Sequence, residues 1–115
     1  LGDTRHTAAV VVATPEELPV LEARAFIAGV TTSRSISVAA VIANKVLPEP
    51  EFDASAFART TDTLRRDAAA LHIALSDGQR SHLRELRSGR TIPFLFGMRT
   101  AGETTERIAD LWVAE

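Results

Sequence analysis

The stretch Ala8–Arg24, AAVVVATPEELPVLEAR, passes from an unbroken apolar run into a helical pattern, with Pro15 and Pro19 at the junction. The run Thr7–Ala13 (TAAVVVA) is apolar at nearly every position and rich in valine, as is Ser37–Ala43 (SVAAVIA). Neither alternates as a half-exposed strand would, so both faces of each are expected to be covered. That is the pattern of central parallel strands between layers of helices. Residues 20–29 are helical in pattern and long enough to make the crossover, so the first unit reads β-α-β.

The two prolines fix how the junction is read. Thr14-Pro15-Glu16-Glu17 has the form of a capping box, with Thr14 as N-cap. Pro19 argues against it: in a helix starting at Pro15 it has no N–H for the Pro15 carbonyl, a defect costing about 3 kcal/mol in a helix interior. With Pro19 at the first helical position no donor is lost. Glu16 and Glu17 are then loop residues above the carboxyl end of the first strand, on the rim where open parallel sheets bind ligands. The alternative is that they are solvated acids that complement the helix dipole.

Beyond the second run, NKVLPEPEFD marks a loop and residues 54–75 are helical, with Phe57, Leu64, Ala68, Leu71 and Leu75 on one face. A second short helix over 79–87 follows an Asp77-Gly78 break. Thr91–Phe96 (TIPFLF) is a third, shorter strand interrupted by Pro93, and residues 103–114 close the chain as a helix carrying Ile108, Leu111 and Trp112. Asn44 stands at the end of the second run, where its amide offers both donor and acceptor, as reading a purine edge requires. The alternative is an Asx-turn that caps the strand. All three strand ends point irregular backbone to one rim.

Composition narrows the function. The chain has 115 residues, 45% hydrophobic and 24% charged, which suits one globular domain with a modest core. A net charge of -2 gives no footprint for nucleic acid, and no apolar run approaches the roughly 20 residues that span a bilayer. With no cysteine there is no disulfide, thiolate metal site or cysteine nucleophile, in keeping with a reducing compartment. The chain opens on Leu1 without a signal-peptide layout and reads as a piece of something longer. Three parallel strands do not hide two apolar faces and two edges, so the expected fold is part of a larger α/β sheet.

TPEELPVLEAR, then VAAVIANKVLPEP, then a strand ending in IPFLF together resemble the C-terminal half of the ArsA-type ATPases. That family includes the arsenite-pump ATPase and the cytosolic ATPase that targets tail-anchored membrane proteins, within the deviant-Walker, MinD-like P-loop class. The resemblance covers most of the chain and implies a three-layer α/β fold, a parallel sheet flanked by helices. It implies that Glu16 approaches the nucleotide across a dimer interface and that Asn44 hydrogen-bonds the adenine. Pro93 with Phe94, and Leu95 beside them, would pack on the base. The implied cofactor is ATP with Mg2+. The implied partners are a second copy or a related ATPase subunit, and a membrane-protein or transporter client, in the cytoplasm.

The chain also departs from the family pattern. Its six glycines form no phosphate-cradling loop, and the signature lysine, switch aspartates and water-positioning aspartate are absent, so this stretch is not expected to hydrolyse ATP alone. VLPEPEFDASAF lacks the paired cysteines of the targeting branch, and no zinc is expected.

His6, His72 and His82 have no ligand spacing among them. Arg80, Arg84 and Arg87 share a helix face that reads as solvated rather than phosphate-binding, and Trp112 reads as core. Two functions of different class therefore stand: an adenine-reading segment of an ArsA-like ATPase, and a non-catalytic regulatory or dimerisation module derived from one. An unrelated flavodoxin-like ligand-binding fold is a weaker third.

Overall fold

A computed structural model describes residues 6–49 and 51–114. Three strands, β1 (Ala8–Ala13), β2 (Ser37–Val46) and β3 (Arg90–Pro93), form one sheet in the order β1-β2-β3. Both pairings are parallel, with Val11 beside Val41, Ala13 beside Ala43, and Ala43 beside Thr91. The protein is thus α/β, with a parallel sheet flanked by helices.

Helix α1 (Glu17–Ser33) crosses from β1 to β2. Val20, Ala23 and Ile27, spaced i, i+3 and i+7, pack on Val11, Ala13 and Ala43. Alanines in this seam allow close approach of helix and sheet, and Ala43 is wholly buried. The helix starts earlier than the prolines suggest. Glu16 is the N-cap, and the first helical bond runs from the Val20 N–H to the Glu16 carbonyl at 3.1 Å. Pro19 is therefore the third helical residue, and it is tolerated because the N–H groups of the first turn have no intrahelical acceptor. Thr14 caps nothing with its side chain; its carbonyl accepts from the Glu16 N–H at 2.8 Å. At the other end the helix runs past Gly29 to Arg34, which takes the left-handed C-cap conformation at φ 53°.

The loop after β2 leads into α2 (Ala54–Arg59), capped by Asp53, and α3 (Thr63–Leu86), capped by Asp62. The expected helix boundary at Asp77-Gly78 is absent: α3 runs through it, and the break falls at residues 60–62. Glycine in a helix interior costs only about 1 kcal/mol, while Asp62, accepting from the Arg65 N–H at 3.2 Å, starts a new helix.

Strand β3 is shorter than expected and ends at Pro93, with one further ladder bond from the Phe94 N–H to the Val46 carbonyl at 2.8 Å. Gly97 then turns the chain at φ 77°. Helix α4 (Ala101–Ala114) begins with a complete capping box: Thr100 Oγ1 accepts from the Glu103 N–H at 3.2 Å, and Glu103 Oε2 accepts from the Thr100 N–H at 3.3 Å.

Helices α1 and α3 cover one face of the sheet, joined across their tops by Arg24 and Glu85 at 3.5 Å. On the other face α4 covers only the β3 side. Arg90, paired beside Ile42, lies with its guanidinium 4.4 Å from the Trp112 ring centroid. Trp112, expected in the core, is instead 39% exposed and serves as that arginine's platform.

The expectation that both faces of each apolar run are covered fails at β1. Val11 and Ala13 are buried, whereas Val10 and Val12 are 56% and 55% exposed. The leucine stripe of α3 is similarly open, with Leu64 80% exposed and Leu71 60%. Residues that do bury on α3 are Ala69, Ser76 and Leu86, a different face from that of Leu64, Leu71 and Leu75. The radius of gyration, 17.9 Å, exceeds the roughly 13 Å typical of a compact chain this long.

Val11→Thr and Val12→Thr separate the two faces, since both keep a β-branched shape and add one hydroxyl. Val11→Thr is expected to lose about 1–3 kcal/mol of unfolding free energy for a buried, unpaired hydroxyl, and Val12→Thr to stay within about 0.5 kcal/mol. Denaturant titration measures both. Equal losses would mean that the Val12 face is covered in solution.

Candidate functional site

A parallel sheet sends all its carboxyl ends to one side, and here they gather Glu16 after β1, Asn44 near the end of β2, and Pro93 and Phe94 at the end of β3. Between this rim and α3 lies an open cleft of about 530 Å³. Pro15, Leu47, Ala74, Leu75 and Phe94 supply its apolar surface, and Glu16, Glu17, Lys45, Gln79 and His82 its polar edge. The volume falls in the range of small-molecule sites, roughly 300–1,000 Å³.

Each wall has a local cause. The β1–α1 turn is anchored by Pro15, whose side chain is fully buried. The β2 wall rests on a bulge. Ala43 pairs with Thr91 and Val46 with Pro93, so Asn44 and Lys45 together stand opposite Ile92. Lys45 adopts the left-handed conformation at φ 56°, and Asn44 Oδ1 accepts from the Lys45 N–H at 2.9 Å. The extra residue returns Val46 to the core face. The α3 wall is tied to β2 by Gln79, whose Oε1 accepts from the Leu47 N–H at 2.9 Å.

The loop beyond Leu47 is fastened along the same helix. Arg80 donates to Glu49 at 2.8 Å and contacts Asp77 at 3.1 Å, and a His72 ring nitrogen meets the Pro48 carbonyl at 3.1 Å. Phe52 packs edge-on against both Phe57 and His72. Arg80 is thus committed to acids. Arg84 and Arg87 stand with Arg24, Ser81 and Glu85 around a separate shallow hollow.

Of the residues the sequence points to, Glu16 and Phe94 line the cleft. Pro93 lies behind it, against α3 on one side and α4 on the other. Asn44 is half-buried at the same rim but outside the lining, with its carbonyl oxygen engaged by its neighbour's N–H. Its NH2 group and the second lone pair of that oxygen still suit a ligand. Leu95 is outside the lining as well.

Lys45, Gln79 and His82 are the polar residues that sequence reasoning missed. The only available signal was position: Lys45 follows Asn44 at a strand end, and Leu75, Gln79 and His82 repeat at helical spacing. The cleft is an apolar slot with polar edges. Among the described residues no cluster of three or more His, Cys, Asp or Glu side chains stands ready to hold a metal ion. No described helix is long and apolar enough to cross a membrane. No protein-family model matches the chain, and no curated protein matches it significantly.

Gln79→Ala tests the tie between β2 and α3. Loss of one hydrogen bond of about 1–1.5 kcal/mol is expected to speed exchange of the Leu47 amide about tenfold, read by NMR hydrogen exchange. An unchanged rate would mean that the Glu49–Arg80 and Pro48–His72 contacts hold the loop by themselves.

Proposed function

We propose that this chain is the adenine-nucleotide-binding segment of a dimeric ArsA-like ATPase, the C-terminal half of a P-loop NTPase domain. In that reading the complete cytoplasmic protein couples ATP binding and hydrolysis to transport or delivery of a membrane-associated cargo. The observation that carries it is convergence: three stretches bearing the family resemblance, far apart in sequence, end at one rim beside a nucleoside-sized cleft. Phe94 supplies an aromatic surface for the base, Asn44 an amide for its polar edge, and Glu16 a carboxylate directed at a nucleotide shared with a second subunit. Bound ATP with Mg2+ supplies the phosphoryl group to be transferred. In this reading the chain's residues hold and orient the nucleoside end.

A second reading is a non-catalytic regulatory or dimerisation module derived from such an ATPase. It draws on the chain's six glycines, which form no phosphate-binding loop. The sequence upstream of Leu1 separates the two readings, since a glycine-rich loop with its lysine belongs only to the first.

Calorimetry on the full-length protein with ATP and GTP tests the nucleotide reading. Asn44→Ala is expected to weaken ATP binding by about 1–3 kcal/mol, because the base edge is left without its partner. The preference over GTP should shrink with it, since guanine presents an acceptor where adenine presents a donor. Loss of affinity in Glu16→Ala should depend on protein concentration if the carboxylate acts across a dimer. Unchanged ATP affinity and selectivity in Asn44→Ala would return Asn44 to the role of a strand-end cap.

A further inference from the structure

Among the described residues, three that are not glycine take left-handed backbone conformations: Arg34, Lys45 and Arg87. Arg34 and Arg87 are helix C-caps, where that conformation is common. Lys45 is different, because it lies inside a strand at a bulge position that glycine fills without steric cost. Lysine there carries the crowding of its Cβ against the following carbonyl. The Asn44 side chain holds the conformation in place by accepting from the Lys45 N–H. Strain sustained by a dedicated hydrogen bond beside a cleft calls for an account of the side chain it carries.

Charge supplies that account. Among the described residues lining the cleft, Glu16 and Glu17 are carboxylates, and Lys45 is the one lysine or arginine. A ligand bearing an anionic group and seated on Leu47, Leu75 and Phe94 meets repulsion from the β1–α1 turn. It needs a cation from another wall, and Lys45 is on the wall contributed by β2.

We propose that Lys45 is an anion-binding residue of the cleft, which pairs with the phosphate nearest the ribose of a nucleotide whose base lies against Phe94. In this scheme Asn44 has a second, positioning role, since it maintains the bulge that delivers Lys45. The proposal rests on the nucleotide reading above and adds to it the part of the ligand that β2 contacts.

The probes are adenosine and AMP, which share a base and differ by that one phosphate, titrated calorimetrically against the full-length protein without divalent metal. Lys45→Gly removes the ammonium at a position glycine suits, and Lys45→Asn does so with a residue that also tolerates the left-handed region. Wild type is expected to bind AMP about tenfold more tightly than adenosine, as one charge-assisted contact at a partly exposed site provides. Added salt should narrow that gap. In both variants the two ligands should bind equally, with adenosine affinity kept within about twofold of wild type. Asn44→Ala should instead weaken both ligands.

Preserved preference for AMP in both variants would overturn the role of Lys45 while leaving the nucleotide reading intact. So would equal losses for AMP and adenosine. Failure of wild type to bind AMP, adenosine or ATP would overturn both.

Discussion

The position of every rim residue depends on β2, the one strand of the sheet bonded along both edges. Its ladder with β1 keeps Val41 and Ala43 beside Val11 and Ala13, and that alanine seam is what α1 packs on. Its ladder with β3 would run out of phase after Ala43 without the two-for-one bulge at Asn44 and Lys45. A strand that continued regularly would turn Val46 to the opposite face, because side-chain direction alternates with each residue. Val46 instead stays packed against the cluster of Val11, Val20 and Leu86, and its carbonyl accepts from the Phe94 N–H. The same inserted residue therefore completes the core and brings Phe94 to the cleft.

Packing and site are in tension along α3. A helix of 24 residues with leucines at 64, 71 and 75 invites the expectation that those leucines face the sheet. Its sheet-facing surface is set by a different demand: Gln79 must reach the Leu47 N–H, and Leu83 and Leu86 must close the core behind it. Helix geometry then fixes the remaining faces. Leu75 turns toward the cleft with Gly78 and His82, and Leu64 and Leu71 lie open, as do Val10 and Val12 on β1. These apolar surfaces stay largely open among the described residues.

What was legible in the sequence follows from the range of the forces involved. The three strands, their parallel order and the crossover helix were readable because apolar runs and connection length are local properties that topology rules convert directly into a sheet. Helix ends were less so. Pro19 reads as a start because proline lacks an N–H, but the first turn has no use for that donor, so any of its positions serves. Gly29 and Gly78 looked like stops because glycine is permissive, yet permissiveness allows a helix to continue as readily as to end. Thr100 and Glu103 formed a capping box that spacing alone would have disclosed.

The cleft was half legible for a related reason. Glu16 and Phe94 border strand ends, and a parallel sheet turns sequence position at a strand end into spatial position at the rim. Gln79 and His82 come from the middle of a helix, and which of its faces meets the rim is decided by packing that no local pattern records. Lys45 was hidden by its neighbour. The Asn44 amide is the residue type suited to recognition, but the same amide is suited to holding an adjacent N–H, and the shorter-range partner is always present at high effective concentration. A polar side chain at a strand end is thereby drawn first into shaping the backbone, and the residue whose backbone it shapes becomes the one carried into the cleft.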